Sequence, residues 1–251
     1  MFLQVVNPNT TLAMTAKIEA CARAVAGPGT RVEAVSPAMG PPSIESHYDE
    51  ALAVPGLLAE IEKGERAGAD GYVIACFGDP GLDAAREIAT GPVVGIAEAA
   101  MHTAALLGRS FSVVTTLGRT TGRAWDLAER YGMREKCRGV HACEVPVLAL
   151  DTDPDARKII TEACLDALSE DGSDVVVLGC AGMADLCTRI SADLGVPVVD
   201  GVTAATLSVQ SLVTMGLATG GKRGEFASPP PKRYSGLLQS FSTDHDFTTD
   251  L

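Results

Sequence analysis

Gly68-Ala69-Asp70-Gly71-Tyr72-Val73-Ile74-Ala75-Cys76 and Gly172-Ser173-Asp174-Val175-Val176-Val177-Leu178-Gly179-Cys180 align without a gap. Each reads as a loop, a buried strand, a cysteine and then a glycine two residues on, Gly78 in the first and Gly182 in the second. The two copies lie a constant 104 residues apart. A duplicated α/β half therefore puts one thiol at the end of one strand in each half. Two facing thiols suit the removal of a proton from one face of a carbon and its return to the other.

The duplication extends outward from the cysteines. Phe2-Leu3-Gln4-Val5-Val6-Asn7 is matched by Phe111-Ser112-Val113-Val114-Thr115-Thr116, and Gly91-Pro92-Val93-Val94-Gly95-Ile96 by Val196-Pro197-Val198-Val199-Asp200-Gly201-Val202. Apolar, β-branched runs predict strands at 2–6, 31–35, 71–75, 93–95, 111–115, 140–145, 174–179 and 196–199. Helical patterns separate them. At 159–168, for instance, Ile160, Ala163, Cys164, Ala167 and Leu168 share one face. Ala-rich helices are expected at 98–107 and 203–215. The expected fold is α/β: two pseudo-symmetric Rossmann-like lobes with parallel four-stranded sheets and a cleft between them. The first lobe takes 1–97 and a C-terminal return of 205–251; the second takes 98–204. Residues 218–251 break the pattern, because Gly220-Gly221-Lys222 and Ser228-Pro229-Pro230-Pro231 sustain neither a helix nor a central strand. They read as a loosely held tail or as an arm on a neighbouring subunit.

Bulk properties narrow the function. The chain has 251 residues, 46% hydrophobic and 21% charged, enough for one large α/β domain or two smaller ones. Aromatics make up only 4%, which favours close packing of small side chains. A net charge of −12 without a basic run speaks against nucleic acid. No apolar stretch is long enough to span a membrane. Seven cysteines with no signal-peptide pattern at the N-terminus suggest free thiols and a cytoplasmic location.

In open parallel sheets, ligands bind beyond the carboxyl ends of the strands. Asn7, Asn9, Cys76, Thr115, Thr116 and Cys180 all fall there. Asn7-Pro8-Asn9-Thr10-Thr11 is turn chemistry in which Thr10 or Thr11 caps a helix starting near Leu12. Two asparagines at a strand end go beyond that need and point to ligand binding. Gly40-Pro41-Pro42-Ser43-Ile44-Glu45-Ser46 is a rigid loop, with Ile44 as a candidate wall residue, and Ser46-His47-Tyr48-Asp49 reads as a capping box. Cys21, Cys164 and Cys187 sit among apolar helix neighbours and read as packing, Cys143 as a strand residue, and Cys137 as part of a polar loop. His47 and His102 read as surface or packing residues, and Glu98 as a helix-start carboxylate or a support for ligand-loop backbone. Cys76 and Cys180 stand apart. Strand ends before helix starts supply backbone N–H groups and dipole ends, so their thiol pKa values are expected to fall.

With Asn7-Pro8-Asn9-Thr10, Cys76-Phe77-Gly78-Asp79-Pro80-Gly81, Gly95-Ile96-Ala97-Glu98-Ala99 and Leu178-Gly179-Cys180-Ala181-Gly182-Met183 in view, residues 1–240 resemble the aspartate/glutamate/hydantoin racemase superfamily. Within it, the hydantoin and allantoin racemases look most similar. The resemblance implies a cofactor-free, metal-free isomerase and a homo-oligomer, with a small cyclic ureide as substrate. It assigns catalysis to Cys76 and Cys180, and substrate binding to Asn9, Ile44, Phe77, Gly78, Thr115, Thr116, Ala181 and Gly182. Amino-acid racemases of this superfamily usually carry Asn-Thr or Thr after their cysteines. Here Phe77-Gly78 and Ala181-Gly182 follow instead, leaving backbone N–H groups that fit a neutral ring carbonyl better than a carboxylate. The choice of allantoin over apolar 5-substituted hydantoins rests on resemblance alone. Two other readings stay open: a lyase or cis–trans isomerase of the same fold with one nucleophilic cysteine, and a non-catalytic two-lobed binding protein. Deuterium uptake into a hydantoin separates the racemase from both.

Overall fold

The structure is a computed structural model that describes residues 1–219 and 223–243. Eight strands alternate with eight α-helices: β1 (Phe2–Val6), α1 (Leu12–Val25), β2 (Arg31–Val35), α2 (His47–Ala67), β3 (Gly71–Ile74), α3 (Leu82–Ile88), β4 (Val93–Gly95), α4 (Ile96–Leu107), β5 (Phe111–Thr115), α5 (Thr121–Arg130), β6 (Cys137–Ala142), α6 (Ala156–Asp171), β7 (Val175–Gly179), α7 (Cys187–Leu194), β8 (Val198–Asp200) and α8 (Gly201–Thr214). They form two four-stranded sheets, ordered β2-β1-β3-β4 and β6-β5-β7-β8, in which every pairing is parallel. The same order in both sheets is the duplication seen in the sequence.

Strand alternation sorts the core into layers. Val73, Val175 and Val177 face a central core shared with residues of α1, α4, α5 and α8. Tyr72 and Ile74 face α2 and α3 on one outer side. Val176 and Leu178 face α6 and α7 on the other. Helices on both faces explain why β1, β3, β5 and β7 are buried end to end. The small side chains allow close approach in the centre: a Cβ on Gly201 would stand 2.4 Å from the Ile96 carbonyl oxygen. Helix α8 packs against α1, α4, β3 and β4 of the first sheet's half.

Two expectations change. Strand β6 occupies Cys137–Ala142 rather than 140–145. Cys137 is therefore a buried strand residue, not a loop residue, and it pairs with Phe111 at an irregular step in the register. Glu144 adopts φ 55°, which ends the strand early. Thr10 and Thr11 do not cap α1 with their side chains. The Asn9 amide oxygen accepts from the Thr11 N–H at 2.9 Å, and the Thr11 hydroxyl donates to the Pro42 carbonyl at 2.7 Å. The capping box at α2 forms as expected: Ser46 accepts from the Asp49 N–H at 3.1 Å. In the tail, Gly220-Gly221-Lys222 lies outside the described residues. The Pro-rich part closes on itself, with the Lys232 N–H donating to the Thr243 hydroxyl at 2.9 Å.

Candidate active site

A cavity of about 770 Å³, its open mouth included, lies at the carboxyl ends of the central strands. Its wall draws on β1, β3, β5 and β7 ends and on loops of both halves. Of the ten residues assigned to catalysis or substrate binding, nine line it: Asn9, Ile44, Cys76, Phe77, Gly78, Thr115, Thr116, Cys180 and Ala181. Gly182 does not. Its place is taken by packing, for a Cβ there would stand 2.8 Å from Leu150 Cδ1 and 3.6 Å from the Cys180 sulfur. Asn7, also expected at the rim, is buried behind Asn9 instead.

Local structure holds each group in place. Asn7 Nδ2 donates to Asn9 Oδ1 and to the Thr15 hydroxyl, both at 3.0 Å. Asn9 Nδ2 meets only a thioether, Met14 Sδ, at 3.3 Å. That is a weak acceptor and leaves the amide donor largely unspent. Thr115 donates to the Gly179 carbonyl at 3.3 Å and shares a 3.1 Å contact with the Thr120 hydroxyl. The loop carrying Ile44 is tied across the halves: Glu45 Oε1 accepts from the Val147 N–H at 2.8 Å.

Both thiols depart from the expected acidity. Burial pushes Cys76 up to about 12, against the pull of the Gly78 N–H, with the other thiol, Glu50 and Asp79 adding repulsion. Burial likewise pushes Cys180 up to about 11, against the Gly182 N–H and Lys17. Desolvation outweighs the pull of the backbone N–H groups, because each cysteine lines the cavity with only part of the residue open to solvent. Cys180 is among the groups whose charge disfavours the Cys76 thiolate.

The cavity also takes residues that the sequence does not assign to it. Ser46, His47, Glu50, Arg119, Thr120 and Arg123 all line the wall. His47 thus stands at the mouth rather than only on a helix surface. Arg123 Nη2 pairs with Glu50 at 2.6 Å and donates to the Gly78 carbonyl at 2.9 Å, while its buried Nε has no acceptor. Asp79, three residues past Cys76, is buried at φ 44°. Its carboxylate accepts from the Ala97 N–H at 3.1 Å, the Glu98 N–H at 2.9 Å and the Tyr131 hydroxyl at 2.7 Å. Burial nevertheless raises it to about 6. Asp79 therefore takes the start of α4, and Glu98 turns to Arg86 at 2.6 Å instead. His102 bonds the Glu98 carbonyl at 2.8 Å.

The remaining cysteines do structural work. Cys164 is fully buried, the Cys143 thiol donates to the Thr116 carbonyl at 3.7 Å, and the Cys187 thiol donates to the Val198 carbonyl at 3.1 Å. Among the described residues, no three His, Cys, Asp or Glu side chains come together as a metal would need. Nor is any helix among them long and apolar enough to cross a membrane.

Comparison with known proteins gives this arrangement its class. The fold matches that of glutamate racemase RacE1 from Bacillus anthracis, with a TM-score of 0.64 over 87% of this chain and 84% of that one, at 17% identity. A profile of the Asp/Glu/hydantoin racemase family matches residues 3–209, and the chain belongs to that family. It is 47% identical to a hydantoin racemase of Rhizobium meliloti, over 94% of this chain and 98% of the relative. It is 52% identical to a solved allantoin racemase from Klebsiella pneumoniae, with a TM-score of 0.94 over 97% and 99% of the two chains. The protein is accordingly an isomerase of the racemase type.

Proposed function

We propose that the protein inverts C5 of a hydantoin ring, with allantoin as the favoured substrate, by passing a proton between Cys76 and Cys180. The observation that carries the reading is that both thiols, from matched positions of the two halves, open onto one cavity. The C5 proton lies beside a ring carbonyl, so its removal puts negative charge on the ring oxygen. One cysteine as thiolate takes the proton, and the other, as thiol, delivers one to the opposite face. Their roles exchange with the enantiomer. Backbone N–H groups at Phe77 and Ala181 supply donors for the developing oxyanion, while those of Gly78 and Gly182 serve the thiols. Asn9, Ile44, Thr115 and Thr116 bound the substrate, and no cofactor enters the steps. The lobe boundaries, 1–97 with 205–251 and 98–204, and a homo-oligomeric state belong to the same proposal.

The wall chemistry favours allantoin over apolar hydantoins. Asn9 Nδ2 has only a thioether partner, and Arg119 is exposed on the rim. These unspent donors suit the oxygen of a ureido group and give nothing to a benzyl or alkyl substituent. The test is loss of optical rotation with enantiopure allantoin, benzylhydantoin and aspartate. Allantoin should turn over fastest, benzylhydantoin more slowly and aspartate not at all, since Phe77-Gly78 and Ala181-Gly182 stand where amino-acid racemases carry polar side chains for the carboxylate. Benzylhydantoin outpacing allantoin would move the assignment to apolar hydantoins. Aspartate turning over fastest would overturn the substrate class.

A further inference from the structure

The glycine two residues past each cysteine has its carbonyl held by a cation from the opposite half of the molecule. Arg123 lies on α5, the first helix of the second half. Its Nη2 donates to the Gly78 carbonyl at 2.9 Å and is anchored by Glu50 of α2 at 2.6 Å. Lys17 lies on α1, the first helix of the first half. Its Nζ donates to the Gly182 carbonyl at 3.5 Å and is anchored by Asp151 and by Asp185, the latter at 3.4 Å. We propose that Arg123 and Lys17 are reciprocal positioning residues, each half of the molecule holding the thiol loop of the other.

The physical reason lies in the glycines. Without a side chain, ψ at Gly78 and Gly182 is restrained only by what the backbone itself meets. The backbone N–H of each glycine draws down the pKa of its own cysteine, against the push of burial. Fixing the carbonyl fixes the residue, and so fixes the donor that stabilises the thiolate. Cys180, Glu50 and Asp79 add repulsion at Cys76, and Arg123 pairs with that Glu50. At Cys180, Cys143 and Glu45 add repulsion and Lys17 offsets part of it. The end of α5 holds the first half at two further points, through Tyr131 just past the helix on Asp79 and Arg130 on Asp83 of α3. Among the described residues nothing comparable links the cations to the thiol loop of their own half, so the coupling runs across the molecule. A positioning role presupposes that the two thiols act, and in that sense the inference rests on the function proposed above.

The experiment reads each cysteine separately and does not depend on turnover. The full-length protein is treated with iodoacetamide at pH 8, and alkylation of Cys76 and Cys180 is timed by peptide mass spectrometry. Arg123→Gln should slow Cys76 about threefold and leave Cys180 at its original rate. Lys17→Gln should slow Cys180 about threefold and leave Cys76 unchanged. A one-unit rise in thiol pKa, less the gain in intrinsic nucleophilicity, gives a factor of that size. Arg123→Lys keeps the charge beside Glu50 but loses the planar fork, and should slow Cys76 by a smaller factor. This variant also serves if Arg123→Gln fails to fold. Equal changes at both cysteines, no change at either, or faster alkylation of the targeted cysteine would overturn the proposal. Absence of racemase activity with these cysteine-specific shifts intact would instead count against the proposed reaction alone.

Discussion

Raising the pH from 7 to 9 should speed racemisation of allantoin about a hundredfold in kcat/KM. The magnitude follows from the burial of the two thiols. Burial holds Cys180 at about 11 and Cys76 at about 12, so the free enzyme carries both thiols protonated at neutral pH. A thiol with a pKa near 11 is ionised in about one molecule in 10,000 at pH 7, and that fraction rises tenfold per pH unit. Since kcat/KM reports the ionisation of the free enzyme, it should climb with a slope close to one on logarithmic axes. The assay is initial optical-rotation decay at subsaturating enantiopure allantoin, in buffers of constant ionic strength at pH 7, 8 and 9. A flat profile over that range would refute the reasoning. It would mean that a thiolate already exists at pH 7 and that the N–H groups and nearby cations outweigh desolvation.

Cys76→Ser and Cys180→Ser should each abolish racemisation, while one enantiomer still exchanges its C5 proton for deuterium by NMR; full racemisation in either variant would contradict the two-thiol assignment. Cys164→Ser should retain activity and lose about 1–3 kcal/mol in urea denaturation, because its hydroxyl would stand in a fully buried apolar cluster. Tyr131→Phe removes a donor to the buried Asp79 carboxylate, which helps only the ionised form. With Asp79 raised to about 6, the loss should be about 1.5–3 kcal/mol at pH 8 and clearly smaller at pH 5; equal losses at the two pH values would count against it. Gly95→Ala should lower the melting temperature, since the added Cβ would meet the Asp79 carboxyl carbon at 2.2 Å and overpacking of this kind costs about 1–3 kcal/mol.

The architecture was legible because it is written in local, short-period patterns. Apolar runs such as Val175–Gly179 have their strand period and both-face burial built into consecutive residues, and the repeat at 104 residues made one half evidence for the other. Cys76, Cys180, Asn9 and Thr115 could be singled out for the same reason: topology alone sends strand ends to one rim. Strand β6 was misjudged because Cys137-Arg138-Gly139 lacks β-branched residues, and pairing with β5 decides it instead.

What the tertiary structure decided is everything that depends on which groups face each other across the two halves. Arg123 reads as one charge on a polar helix face, and Lys17 as another, until folding brings them to the Gly78 and Gly182 carbonyls. Asp79 sits in a visible turn, yet its three donors come from α4 and from Tyr131, far along the chain. The thiol acidity shows the limit most clearly. Sequence supplies the N–H groups and helix starts that lower a pKa, and those are present. Desolvation, which raises it, comes from the burial of each thiol and exists only once the chain is folded.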